Sequence, residues 1–154
     1  MKAWTRPAVS FALLTAFALS ASACLAREST IAWNGIQAGR QEVGIAPLAW
    51  DGQMYPFTER RAIGLAETGH YDHAGFGALV ADYRRDSGYR DWVCEILMQV
   101  SPRVSAEAYP GATLIGWQAS AEHWTCAMRS DFTHAAIAQA WGDDALYVVM
   151  WLRK

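Results

Sequence analysis

The chain has 154 residues, of which 53% are hydrophobic and 18% charged, and this composition is typical of a globular protein. Its 13 basic and 15 acidic residues give a formal net charge of −2, so there is no excess of positive charge to hold a nucleic-acid backbone. After residue 26 no apolar run approaches the roughly 18 residues that a membrane-spanning helix needs. We therefore expect neither a nucleic-acid partner nor a transmembrane segment in the mature protein.

The first 26 residues have the layout of a secretory signal peptide. Basic residues precede an apolar stretch over residues 7–19, and small residues follow up to Ala26. A buried N-terminal helix is the alternative, but the stretch has no polar face. Cleavage after Ala23 or Ala26 fits the small-residue rule, whereas lipidation of Cys24 fits the resemblance of Ala-Ser-Ala-Cys to a lipobox. We predict a periplasmic or extracellular protein with one domain over residues 27–154.

Two of the three cysteines lie in the predicted domain over residues 27–154. Cys24 belongs to the signal segment or to a lipid anchor, which leaves Cys94 and Cys126 as an even pair in an oxidising environment. We predict that this pair forms a disulfide. Zinc binding by the two cysteines is the alternative, although no CxxC spacing accompanies them.

Two helices are predicted in the first part of the mature chain. Apolar residues recur at helical spacing over residues 31–43, with Arg40 placed off the apolar side. Asp51 is a candidate N-cap for a second helix, which ends near residue 68. Pro56 is compatible with a helix only in its first turn, so this helix is expected to begin near Gln53.

The middle of the chain alternates between loop, helix and strand patterns. A glycine-rich loop over residues 70–77 precedes a short helix over residues 78–86. The compact apolar run over residues 92–100 indicates a strand, and helical spacing returns over residues 109–119. Ser120 is the candidate N-cap of a further short helix that ends near Met128.

The C-terminal part has the pattern of a hairpin. Two apolar runs, over residues 135–141 and 145–152, are separated by Gly-Asp-Asp, which is typical of a tight turn. Helices, a strand, more helices and a terminal hairpin together indicate an α+β domain in which helices pack on an antiparallel sheet.

Five segments follow the order and spacing of a known family: residues 36–51 (IQAGR…G…PLAWD), 71–77 (YDHAGFG), 94–97 (CEIL), 117–123 (WQASAEH) and 131–133 (DFT). They resemble in turn the motifs IN-x-x-R…G…PL-x-WD, SH-x-G, GENI, W-x-x-SPGH and NFTE of the CAP superfamily. This superfamily comprises the cysteine-rich secretory proteins, antigen 5 and the pathogenesis-related proteins, and it includes a bacterial secreted SCP-like branch. The resemblance covers nearly the whole mature chain.

The resemblance implies a three-layer α-β-α sandwich with a central antiparallel sheet, and a cleft that brings together His73, Glu95 and His123. Two imidazoles and a carboxylate are suitable ligands for Zn²⁺ or a similar divalent cation, with a fourth position for water or substrate. Ser120 stands where the eukaryotic branch carries a second glutamate. The family's tetrad of two histidines and two glutamates is therefore incomplete.

The sequence is compatible with three functions. The resemblance favours a non-enzymatic binding or interaction module, whose partner is a small molecule, a lipid or a component of the cell envelope. In a metal-dependent hydrolase acting on envelope material, the same three side chains are metal ligands. In a purely structural envelope protein, they only hydrogen-bond to each other and to loop backbone. No residue is assigned a catalytic role.

Overall fold

A computed structural model of the chain describes residues 28–101 and 111–154; the predicted signal segment, Cys24 included, lies outside them. Within these ranges the chain forms five helices and four strands, which are, in order, α1 (28–42), β1 (Ala49–Trp50), α2 (Tyr55–Thr68), α3 (Phe76–Ser87), β2 (Val93–Val100), α4 (Ala112–Ala119), α5 (Ala121–Ala127), β3 (His134–Trp141) and β4 (Leu146–Arg153).

The four strands form one sheet in the order β1-β3-β4-β2. The predicted hairpin is confirmed, since β3 and β4 pair antiparallel from His134 opposite Arg153 to Trp141 opposite Leu146. Strand β2 pairs antiparallel with the other side of β4. The two-residue β1 adds a parallel partner to β3, so the sheet is mixed rather than wholly antiparallel.

Helices cover both faces of the sheet, as the α-β-α arrangement requires. Side chains alternate between the two faces along each strand, so Val148, Met150 and Leu152 of β4 lie in one core and Val149 and Trp151 lie in the other. Helices α1, α4 and α5 pack on the first face, whereas α2 and α3 pack on the second. Both faces of β4 are therefore buried, which accounts for its unbroken apolar sequence.

The start and end of α2 follow from local chemistry. Oδ1 of Asp51 accepts hydrogen bonds from the backbone N–H groups of Gln53 and Met54, and the helix then begins at Tyr55, slightly later than expected. Pro56 lies in the first turn, where its missing N–H costs nothing. Gly69 ends the helix with a φ of 69°, a left-handed conformation that favours glycine.

Other expected elements are also present, with small shifts at their ends. Helix α3 is longer than predicted, and the strand predicted over residues 92–100 is β2. Residues 109 and 110, predicted as the start of α4, fall outside the described ranges. Ser120 occupies the N-cap position of α5, but its side chain makes no capping hydrogen bond. Among the described residues, none of the helices combines the length and the hydropathy that a bilayer span needs.

The expectation that Arg40 lies off the apolar side of α1 is wrong, because its side chain is fully buried. Its guanidinium donates to the backbone carbonyls of Ala46, Ala127, Arg129 and Phe132 at 2.8–2.9 Å. Burial lowers the pKa of Arg40 from its ordinary value. The carbonyl acceptors offset the cost of burying the charge, and they tie α1 to the segment between α5 and β3.

Candidate functional site

The candidate cleft lies at the edge of the sheet formed by β2. Among the described residues this strand pairs only with β4, and it also contacts the helices α4 and α5. The backbone carbonyl of Leu97 accepts hydrogen bonds from the hydroxyl of Tyr71 at 3.0 Å and from the indole N–H of Trp117 at 2.8 Å. The loop and α4 are thus both anchored to the same point of β2.

Glu95 of β2 is the centre of a buried polar cluster, with only 1% of its side chain exposed. Its Oε2 accepts from Nε of Arg61 at 3.1 Å and from the indole N–H of Trp151 at 2.9 Å. Its Oε1 lies 3.3 Å from Nη2 of Arg61 and 2.9 Å from Nδ1 of His73. Both carboxylate oxygens are therefore satisfied by protein groups, and the negative charge is paired with a guanidinium.

Arg61 of α2 joins this cluster to the loop that carries His73. Besides Glu95, its guanidinium donates to the backbone carbonyl of Asp72 and, at 2.7 Å, to that of Ala74. Gly75, the N-cap residue of α3, turns the chain with a φ of 83°. Because non-glycine residues rarely adopt this conformation, glycine allows the loop to fold back over Arg61 before α3 begins.

His73 is the exposed member of the cluster, with 56% of its side chain accessible. Because an ionised carboxylate can only accept hydrogen bonds, Glu95 directs the proton of a neutral His73 to Nδ1. The lone pair of such an imidazole is then on Nε2, for which no hydrogen bond is found in the described residues. A buried carboxylate thus orients an exposed ring, leaving one nitrogen for a ligand.

His123 of α5 lies beside His73, with the two ring centroids 6.4 Å apart and the ring planes inclined by 60°. Burial, and to a lesser extent the neighbouring His73, lowers the pKa of His123 below the ordinary value of 6.5. His123 is therefore neutral at pH 7, with a lone pair of its own. The structure brings together the three residues predicted from the sequence, although only His73 and Glu95 are in direct hydrogen-bond contact.

The predicted disulfide between Cys94 and Cys126 is confirmed. It joins β2 to α5 over a Cα–Cα distance of 6.6 Å. Cys94 immediately precedes Glu95, and Cys126 follows His123 by three residues. The covalent link therefore holds the strand that carries Glu95 to the helix that carries His123.

The metal site predicted from the sequence also requires that Glu95 be free to bind a cation. Among residues 28–101 and 111–154, no group of three His, Cys, Asp or Glu side chains is arranged to hold a metal ion. Glu95 already pairs with Arg61, and the guanidinium places positive charge where a cation would have to bind. As arranged, the residues do not fit a three-ligand zinc site, and metal binding stays a prediction.

Sequence reasoning missed two members of the cluster, Arg61 and Trp151. Arg61 lies four residues after Phe57 and four before Leu65, so it falls in the middle of the buried stripe of α2. A charged residue at such a position is a signal for a buried ion pair. Trp151 carries no comparable signal, because a tryptophan in a buried strand is usually explained by packing alone.

Comparison with known proteins places the fold among solved structures. A scan against protein-family models finds no match, and a search of curated proteins finds none either. An outer surface protein from Borrelia burgdorferi superposes with a TM-score of 0.63 at 16% identity, covering 82% of this chain and 92% of that one.

Two longer bacterial proteins are also similar. An extracellular protein containing an SCP domain from Bacillus anthracis gives a TM-score of 0.57 at 19% identity over 77% of this chain. A cysteine-rich secretory protein from Staphylococcus aureus gives 0.59 at 13% identity over 82%. The alignments cover only 38% of each of these two proteins. Together the likenesses show that the chain has the CAP/SCP-like fold.

Proposed function

We propose that this chain is an exported CAP-type binding module that takes a small ligand between His73 and His123. The observation that supports this is the orientation of the exposed His73 ring by the buried Glu95, next to a second imidazole that is neutral at pH 7. Each imidazole, when neutral, offers a nitrogen lone pair, so the ligand that suits them carries N–H or O–H donors. The disulfide at Cys94 and Cys126 lowers the cost of ordering the cleft when the ligand binds.

The two metal-dependent alternatives require a rearrangement of the cluster, and a structural role does not account for the exposure of His73. A divalent cation such as Zn²⁺ finds two ligands in the imidazoles, and Glu95 has to leave Arg61 before it can serve as a third. Metal-dependent hydrolysis of envelope material has the same requirement. A purely structural role accounts for Glu95 and Arg61, but it does not need an imidazole that is 56% exposed.

The test is a fragment screen by NMR, in which the ring signals of the histidines are followed at pH 7.5. We expect hydrogen-bond-donor fragments to shift the signals of both His73 and His123, and these responses to be lost in His73→Ala and His123→Ala. His70→Ala is the matched control, since His70 is exposed in the same loop. A library that leaves both rings unshifted would contradict a binding cleft.

Zinc titration by calorimetry separates the cation from the organic ligand. A flat isotherm at pH 7.5 excludes zinc as the occupant. The fragment screen then decides between a binding role and a purely structural role. An isotherm that disappears in both His73→Ala and His123→Ala would instead establish the cation, and binding would weaken on acidification because protons compete with the metal for the imidazole lone pairs.

Export is the second part of the proposal, and it depends on the signal-like layout of residues 1–26. The mass of the protein recovered from the periplasm or the culture medium tests it. We expect a first residue of Cys24, with or without a lipid, or of Arg27. A mature chain that retains Met1 would refute export through this segment.

A further inference from the structure

The second edge of the sheet, on β3, is only partly covered. Strand β1 pairs with His134 and Ala135 alone, and its last hydrogen bond runs from the N–H of Asp51 to the carbonyl of Ala135 at 2.8 Å. Beyond that point β3 continues to Trp141. No other strand of the described residues pairs with this part of β3 on its outer side.

The backbone groups on this edge alternate in direction. The carbonyls of Thr133 and Ala135 both point toward β1, because they accept from Ala49 and Asp51. The same alternation directs the N–H and C=O groups of Ile137 and Gln139 outward, away from β4. In the described residues no backbone hydrogen bond to either of these outward groups is found.

A groove of about 570 Å³ lies along this stretch of β3. Trp33 of α1 and Tyr55 at the start of α2 flank it, while Trp50 of β1 lies at its end, half exposed. The Trp50 ring contacts Trp33 edge-on at a centroid distance of 5.6 Å and Tyr55 at 5.3 Å. The aromatic wall is therefore packed before any ligand arrives, and none of the described residues that line the groove is charged.

The side chain of Gln139 adds a polar group to the groove. Its Oε1 accepts a hydrogen bond at 2.9 Å from the backbone N–H of Ser29, in the first described turn of α1. Its Nε2 is buried and has no hydrogen-bond partner among residues 28–101 and 111–154. A buried amide donor without a partner is costly, and a bound carbonyl oxygen would satisfy it.

We propose that this groove binds an extended peptide segment of a partner protein, which adds to the sheet as a strand beside β3. Outward backbone groups at Ile137 and Gln139 match the donors and acceptors of an extended chain, and the aromatic wall suits an apolar side chain. An acyl chain or apolar small molecule would leave those backbone groups unpaired, which is costly once water is displaced. A peptide satisfies both features at once.

The site is independent of the histidine cleft. Strand β4 separates β3 from β2, so the two sites lie at opposite edges of the sheet. Neighbouring strands are about 4.8 Å apart, which places the edges roughly 10 Å from each other. Loss of one activity therefore does not require loss of the other.

The test is amide hydrogen exchange on the ¹⁵N-labelled protein, with a defined peptide mixture as the probe. The peptides are acetylated and amidated heptapeptides with threonine at alternate positions and leucine, isoleucine, valine, phenylalanine, tyrosine or tryptophan at the others. We expect exchange at the amides of Ile137 and Gln139 to slow at least tenfold with 1 mM mixture. Trp50→Ala should abolish this protection, whereas Trp92→Ala, which removes an equally exposed tryptophan outside the groove, should retain it.

A second peptide mixture, N-methylated at alternate amides, tests the backbone pairing directly. Methylation removes the donors on one edge of the peptide, so we expect protection to fall at least tenfold for one of the two methylation patterns. Equal binding of both methylated mixtures would mean that the groove takes apolar groups without strand addition. Protection that rises with protein concentration in the absence of peptide would overturn the proposal, because a second copy of this chain would then occupy the edge. The absence of protection under every condition would overturn it as well.

Discussion

Replacement of Arg61 by methionine should be among the most destabilising single changes in this protein. The side chains of Arg61 and Glu95 are 8% and 1% exposed, so the substitution leaves a carboxylate buried without its cation. Removing one partner of a buried ion pair typically costs about 3–5 kcal/mol. The substitution also removes the hydrogen bonds to the carbonyls of Asp72 and Ala74, which should loosen the loop that carries His73.

Urea unfolding at pH 7 measures this cost, and a double-mutant cycle assigns it to the pair. Glu95→Gln removes the negative charge that Arg61→Met leaves unpaired. The double variant should therefore be more stable, by at least about 1.5 kcal/mol, than the sum of the two single effects predicts. Arg60→Met is the matched control: its side chain is 53% exposed and 3.9 Å from Asp82, so a change within about 0.5 kcal/mol is expected. A cost below about 1 kcal/mol for Arg61→Met, or additive effects in the cycle, would refute the buried pair as the anchor of the cleft.

Two further measurements test the cleft. Burial, assisted by His73, lowers the pKa of His123 in the folded state, so the unfolded chain binds more protons as the pH falls through 6.5. The free energy of unfolding should therefore decrease over that range, and it should decrease less in His123→Gln. His70→Gln is the control, and its unfolding curves should follow those of the parent protein. Replacing both Cys94 and Cys126 by serine removes a cross-link with a sequence separation of 32 residues. In the chain-entropy estimate this should lower the free energy of unfolding by about 3.7 kcal/mol. An unchanged urea midpoint would contradict this prediction.

The sequence by itself determined most of the elements, and it predicted the residues of the candidate site. Helical and strand periods predicted the main helices and the β3–β4 hairpin, because burial of one or both faces leaves a direct trace in the order of apolar residues. The even pair Cys94 and Cys126 predicted the disulfide, and five short motifs in order predicted the fold. His73, Glu95 and His123 were found through that resemblance, since their separation along the chain shows no pattern of its own.

The tertiary structure decided what those residues do. Glu95 meets Arg61 across 34 residues and Trp151 across 56, and hydrophobic periodicity treats each residue only within its own element. For the same reason Arg40 was placed outside the core, although three of the four carbonyls that accept from its guanidinium are 87 to 92 residues away. The two-residue β1 has too few residues to show a period, so the length of β3 that remains uncovered emerged only when the strands were paired. Pairing of distant groups is a property of the packed chain, and local sequence carries almost no record of it.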